Sequence, residues 1–161
     1  MKKLIYTLLI IIALTNNSFT AGTSSDSSDS TSDYTKAKNL IKAAKKYEKK
    51  GKVEKAQKRY AKAQKLLLKS NKKKPLQADT LNYLGFTTRK LGDYEKGEEF
   101  YLQGLQIEPN HNGINEYLGE LYIVTNRMDL AKERLEVLKS CDCKEYKQLK
   151  EIIEGTKKSK Y

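Results

Sequence analysis

Small and apolar residues recur along the chain at spacings of three and four, the period of one helix face, and the pattern then repeats itself. Leu84-Gly85 returns as Leu118-Gly119, an offset of 34 residues. In the same register the turn residues Gly92 and Asn126 coincide, as do Tyr94 with Met128, Gly97 with Ala131 and Tyr101 with Leu135. An earlier, more basic copy places Leu40, Ala43, Ala44 and Tyr47 on one face, a turn at Gly51, and Val53, Ala56 and Tyr60 on the next. The copies span 37–70, 78–111 and 112–145, with seven extra residues at 71–77. Each copy predicts a helix, a tight turn and a second helix. Units of this period cannot bury their apolar faces alone and stack to do so.

A final amphipathic stretch at 144–155 carries Tyr146, Leu149, Ile152 and Ile153 on one stripe and lysines and glutamates on the other face. It predicts a helix that caps the array, stopped at Gly155. Seven helices and no sheet are expected. Gly85, Gly119 and Ala44 are small where the first helix of a unit meets its second, and Ala56, Gly97 and Ala131 play the reciprocal part on the second helix.

The pattern Leu40-x-x-Ala43-Ala44-x-x-Tyr47, with Leu84-Gly85 and Leu118-Gly119 in the same slots, resembles the tetratricopeptide repeat (TPR) family. The resemblance covers roughly two thirds of the chain. It departs from the family where Leu40, Leu81 and Asn115 stand in the Trp slot and Thr88 stands in the Tyr slot of the middle copy. The closing Pro appears only as Pro109. What the resemblance implies is an all-α, right-handed superhelical array of three helix–turn–helix repeats plus a capping helix, over 35–161. It further implies a concave groove lined by the first helices. The face opposite the Leu-Gly contact places Lys45, Lys49, Asn82, Phe86, Arg89, Glu116, Glu120 and Ile123 there, with Phe86 as an apolar anchor. Some family members clasp a peptide carboxylate with Lys and Asn residues; Ile41, Glu116 and Glu120 do not support that subtype here.

The N-terminus runs from Met1-Lys2-Lys3 through an apolar stretch at 4–14 to polar Thr15-Asn16-Asn17-Ser18. That order predicts a secretory signal peptide at 1–21, cleaved after Ala21 or Gly22. The apolar run is short against the ~20 residues of a membrane span; an uncleaved anchor is the alternative. Residues 22–34 are almost all Ser, Thr, Asp and Gly and read as a flexible linker. Export to the periplasm or cell envelope is the expectation.

Charge is unevenly divided. Residues 36–74 hold 17 Lys or Arg against Glu48 and Glu54, a net of +15, whereas 78–145 hold 8 basic and 13 acidic residues, a net of −5. A basic surface of this density attracts anionic membrane or an acidic protein, with Lys72, Lys73 and Lys74 as its most accessible patch. Solvated helix faces would read the same way. Nucleic acid is a poor partner, since no aromatic residues are interleaved as a stacking platform.

Cys141 and Cys143 are the only cysteines. In an exported protein they form a local disulfide, stay as free or intermolecular thiols, or serve a redox or metal role; too few further ligands accompany them for a complete metal site. His111 is the sole histidine and lies in a turn. No nucleophile–base pair and no Gly-rich phosphate loop is present. The expectation is a non-catalytic adaptor without a cofactor, binding another protein or peptide through its groove. The alternative is an envelope module held by its Lys-rich first repeat.

Overall fold

A computed structural model describes residues 32–159, so the expected signal peptide and all but the end of the linker lie outside the described residues. Within them every regular element is helical: α1 (Asp33–Glu48), α2 (Val53–Lys73), α3 (Ala78–Lys90), α4 (Tyr94–Ile107), α5 (Asn112–Val124), α6 (Met128–Leu138) and α7 (Lys144–Ile153). Helix α1 begins at Asp33, so Asp33 and Tyr34 belong to the helical domain and not to the linker, whose end was expected at 34. Ser32 decides that boundary, since its Oγ accepts from the Thr35 amide at 3.1 Å and satisfies an orphan donor of the first turn.

Three hairpins, α1–α2, α3–α4 and α5–α6, close in the same way. Gly51, Gly92 and Asn126 each take a left-handed φ, of +68°, +100° and +57°. The residue after each donates its amide back to the carbonyl five residues earlier: Lys52 to Tyr47 (2.9 Å), Asp93 to Thr88 (3.2 Å) and Arg127 to Tyr122 (2.7 Å). This is the αL closure that satisfies the last helical carbonyls. The acceptors are the three residues of the Tyr slot. The bond comes from the backbone, so Thr88 serves there as well as tyrosine does.

The seven extra residues after the first unit do not form a loop. Helix α2 is 21 residues long and α4 is 14, so the insertion is absorbed as about two further turns of helix. The connections that follow, 74–77 and 108–111, are equally long. Helix α2 is therefore a rod that carries its lysines past the end of its partner.

The helices form two rows. Helices α1, α3, α5 and α7 touch in succession along one row, while α2, α4 and α6 back them. Close approach depends on missing side chains. A Cβ on Gly85 would stand 2.5 Å from the Tyr101 ring, and one on Gly119 would stand 2.6 Å from Leu149 of α7. Gly85 thus meets the second helix of its own hairpin as expected; the expectation for Gly119 is corrected, since Leu149 of the cap and not α6 lies closest to it. In the first hairpin Ala37, Ala44, Ala56 and Ala63 are fully buried or nearly so and do the same job. Tyr60 and Tyr101 fill the seams and are fully buried; Leu135, in the equivalent slot, is only half-buried.

The cap follows the expected stripe, with Leu149 and Ile152 buried and Gly155 at φ +72° ending it. Cys141 and Cys143 form a disulfide in the turn between α6 and α7, which is the first of the three readings the sequence left open.

Candidate functional site

Along the inner row a cavity of about 640 Å³ opens between α1, α3, α5 and α7. Helix α1 contributes Lys45 and Lys49; α3 contributes Asp79, Asn82 and Tyr83; α5 contributes Gly113, Glu116 and Tyr117. The cap supplies Lys144, Glu145 and Gln148, and Lys157 lies beyond it. The lining carries both charge signs, and Asn82, Gln148 and the two tyrosines offer neutral hydrogen-bonding groups.

Of the residues that the family resemblance places in the groove, Lys45, Lys49, Asn82 and Glu116 do line this cavity. Phe86, Arg89 and Glu120 do not, and are corrected: each is at most 1 % exposed. Phe86 is no open anchor. Its ring lies between Tyr60 and Tyr117, with centroids 5.7 and 5.0 Å away, and Lys45 Nζ sits 4.3 Å from its centre. Arg89 stacks 5.2 Å from both the Phe86 and Tyr117 rings, donates to the Tyr117 carbonyl at 3.5 Å, and lies 3.9 Å from Glu120. Burial pushes the Arg89 pKa down, while Tyr101, Glu120, Tyr117 and Glu116 act against that shift. Ile123 is half-buried against the apolar cluster around Ile114 and Leu118, away from the cavity lining.

The reason is packing across the row. Helices α1 and α5 both reach over α3, and Lys45 Nζ donates to the Tyr117 hydroxyl at 3.1 Å across 72 residues of sequence. The middle of the inner face is therefore filled by the protein's own cation–aromatic stack. What stays open is the flank nearer the helix N-termini of α3 and α5.

Sequence reasoning missed Tyr83, Tyr117, Asp79, His111 and the cap residues. A signal for the tyrosines existed, because Tyr83 and Tyr117 stand 34 residues apart, next to Asn82 and Glu116 in the same register. Burial raises the pKa of both, helped by Asp79 at Tyr83 and by Glu116 at Tyr117. His111 caps α5: its Nδ1 accepts from the Ile114 amide at 3.1 Å, and its Nε2 lies 3.3 Å from Asp79 Oδ1. Both ring nitrogens are thus engaged in holding the α3–α5 junction. That is a structural role, which sequence alone could not separate from an incidental loop histidine.

The basic surface is also redistributed. Lys72, Lys73 and Lys74 are exposed at the end of α2, and Lys73 pairs with Asp33 at 2.9 Å, with Lys69 at 3.6 Å from the same oxygen. Two further hollows lie between α1 and α2. One, of about 340 Å³, is lined by Leu40, Tyr47, Lys55, Lys58, Arg59 and Lys62. The other, of about 260 Å³, is lined by Ala43, Lys46, Tyr47, Lys50 and Arg59. The Arg59 guanidinium lies 5.3 Å from the Tyr47 ring centre, and its hydrogen bond holds the Tyr47 hydroxyl below the usual tyrosine pKa.

No protein-family model matches this chain, and no curated protein matches it at a significant level. Among the described residues no helix is long and apolar enough to cross a membrane.

Proposed function

We propose that the chain is a non-catalytic adaptor of the TPR type, an array of three repeats and a cap that binds an extended segment of another protein in its inner cavity. The observation that carries this reading is the cavity itself, lined in turn by α1, α3, α5 and the cap, with hydrogen-bonding groups at repeated positions. The αL closures at Gly51, Gly92 and Asn126, in the register of the sequence repeat, support the repeat assignment and the right-handed superhelix it implies. An extended peptide suits such a site because its backbone amides and carbonyls need partners of both kinds, which Asn82, Gln148 and the tyrosines offer. Lys49, Lys144 and Glu145 then select the charge of the peptide side chains. The footprint is small, so affinity rests on few contacts.

Export to the periplasm or envelope belongs to the same proposal. Mass measurement of the mature form, beginning after Ala21 or Gly22, tests it; a full-length cytosolic species overturns it.

The binding claim is tested by a photo-crosslinking residue at Lys49, on the exposed cavity rim, against a control at exposed Leu102 of α4. A protein adduct from position 49, weakened by Asn82→Ala with Lys144→Glu, is expected. Equal adducts from both positions, or no effect of the double variant, overturn the reading. The second reading, attachment of the Lys-rich hairpin to anionic membrane or an acidic partner, draws support from the exposed lysine rows of α2.

A further inference from the structure

The outer hollows of the α1–α2 hairpin share no lining residue with the inner cavity and have a chemistry of their own. Six of their side chains are cationic: Lys46 on α1, Lys50 in the turn that follows it, and Lys55, Lys58, Arg59 and Lys62 on α2. None is acidic. The two carboxylates of this hairpin's basic stretch are elsewhere. Glu48 accepts from the Tyr60 hydroxyl at 2.7 Å and pairs with Lys90 at 2.8 Å, and Glu54 lines neither hollow. Between the hollows stands one aromatic ring, Tyr47, with the Arg59 guanidinium over it, 5.3 Å from the ring centre.

We propose that these hollows bind a linear anionic polysaccharide, with sugar rings against Tyr47 and sulfate or phosphate groups on the flanking lysines and Arg59. Three observations choose this occupant. The α2 cations recur at one-turn intervals, Lys55, then Lys58 and Arg59, then Lys62, so positive charge returns about every 5.4 Å along a straight rod. That matches a stiff polymer with regularly placed anions better than a single ion. Second, Tyr47 is half-buried and lines both hollows, with Leu40 in one lining and Ala43 in the other. The weakly positive C–H face of a sugar ring can enter next to the Arg59 guanidinium and meet the part of the aromatic ring that lines the hollows. A flat bilayer cannot follow the lining inward. Third, the hairpin's other rings are committed elsewhere, Tyr34 against Tyr83 and Tyr60 against Phe86, so the successive stacking surfaces that a nucleic-acid strand uses are missing from this face. The proposal is independent of the inner cavity and stands or falls apart from it. It sharpens the basic-hairpin reading by moving its centre from Lys72–Lys74 to Tyr47 and Arg59.

Titration of the full chain with heparin, a sulfated polysaccharide, at 0.15 M salt tests this. Arg59→Glu with Lys62→Glu should weaken binding roughly tenfold or more, since two attractions become repulsions. Lys72→Glu with Lys73→Glu and Lys74→Glu should change it less than about twofold, because these side chains line neither hollow. Tyr47→Ala should weaken it about threefold and Tyr47→Phe should leave it intact, as the ring face and not the hydroxyl carries the contact. Should Tyr47→Ala lose helicity, Lys55→Glu with Lys58→Glu tests the same hollow without touching the ring. Poly-glutamate, a single-stranded oligonucleotide and phosphatidylglycerol vesicles serve as comparison ligands. Weaker binding of all three than of heparin supports the assignment. Any of them binding as tightly, absence of heparin binding, or equal loss from the Lys72–Lys74 reversal overturns it.

Discussion

The first hairpin and the middle one build the same turn from different material. In α1–α2 the seam is alanine: Ala37, Ala44, Ala56 and Ala63 are buried, and each keeps full helix propensity. In α3–α4 the matching seam uses Gly85, Gly97 and Gly104, each of which forgoes up to about 1 kcal/mol of propensity relative to alanine. What the glycines make possible is ring packing. The Tyr101 ring lies against the bare backbone of Gly85, where even one Cβ would stand 2.5 Å away. The alanine hairpin keeps its intrinsic helix propensity and carries a net charge of +15 over 36–74. The glycine hairpin depends on its neighbours, and the buried stack of Phe86, Tyr117 and Arg89 grows around it.

The sharpest way to break this comparison is to exchange the small residues. Gly85→Leu should destabilise the fold by about 1–3 kcal/mol, since the rigid, fully buried Tyr101 ring cannot yield. Gly119→Leu should fall in the same range of about 1–3 kcal/mol by displacing Leu149, and should loosen the cap first. Urea unfolding followed by circular dichroism measures both. Unchanged midpoints would mean that these contacts do not hold the array together.

High pH separates the regions next. Burial raises the pKa of Tyr60, Tyr101 and Tyr117, whereas Arg59 lowers that of Tyr47. An unfolded tyrosine ionises near about 10, so above that pH the unfolded chain releases protons that the buried hydroxyls keep. Their stabilising contribution is complete below the unfolded value and is lost as pH rises toward the folded ones. Tyrosinate absorbance should begin with a fraction ionising below the ordinary value, absent in Tyr47→Phe. The last fraction, from the buried rings, should appear only as helicity disappears. Early ionisation of every tyrosine would contradict the buried stack.

Glu48 joins the two regions, holding the Tyr60 hydroxyl and Lys90 together. Glu48→Gln should reduce stability by about 1 kcal/mol, because the ion pair is only partly shielded and the hydrogen bond is kept in neutral form. The smallest effect is that of salt. Raising ionic strength should slow amide exchange in α1 and α2 slightly and leave α5 unchanged, since screening relieves repulsion among lysines only where they are dense. A uniform response along the chain would erase the electrostatic contrast.

Most of the helical plan was legible in the residues. The return of Leu84-Gly85 as Leu118-Gly119, the turn residues Gly51, Gly92 and Asn126, and the stripe Tyr146, Leu149, Ile152 and Ile153 each report local geometry. Helix period and left-handed turns are set by neighbours in sequence, so sequence shows them. The side shared by Lys45, Lys49, Asn82 and Glu116 was legible for the same reason, and these four line the cavity. Phe86, Arg89 and Glu120 occupy the right side too, yet they do not reach the cavity, and even Asn82 and Glu116 in its lining are only 5 % and 4 % exposed.

That difference is tertiary. Whether a side chain on this face meets water depends on which helices pack over it, and those helices come from hairpins far apart in the chain. That packing brings Lys45 to Tyr117 across 72 residues, covers Phe86 and leaves the cavity on the flank. The insertion at 71–77 shows the same division. Its length could be read from the repeat register, but its conversion into two turns of α2 required Asn71, Lys72 and Lys73 to continue a helix already held by Leu67 and Ala63 in the core. Periodicity along one chain determines which residues share a face. Only the packing of those faces decides which of them stay open.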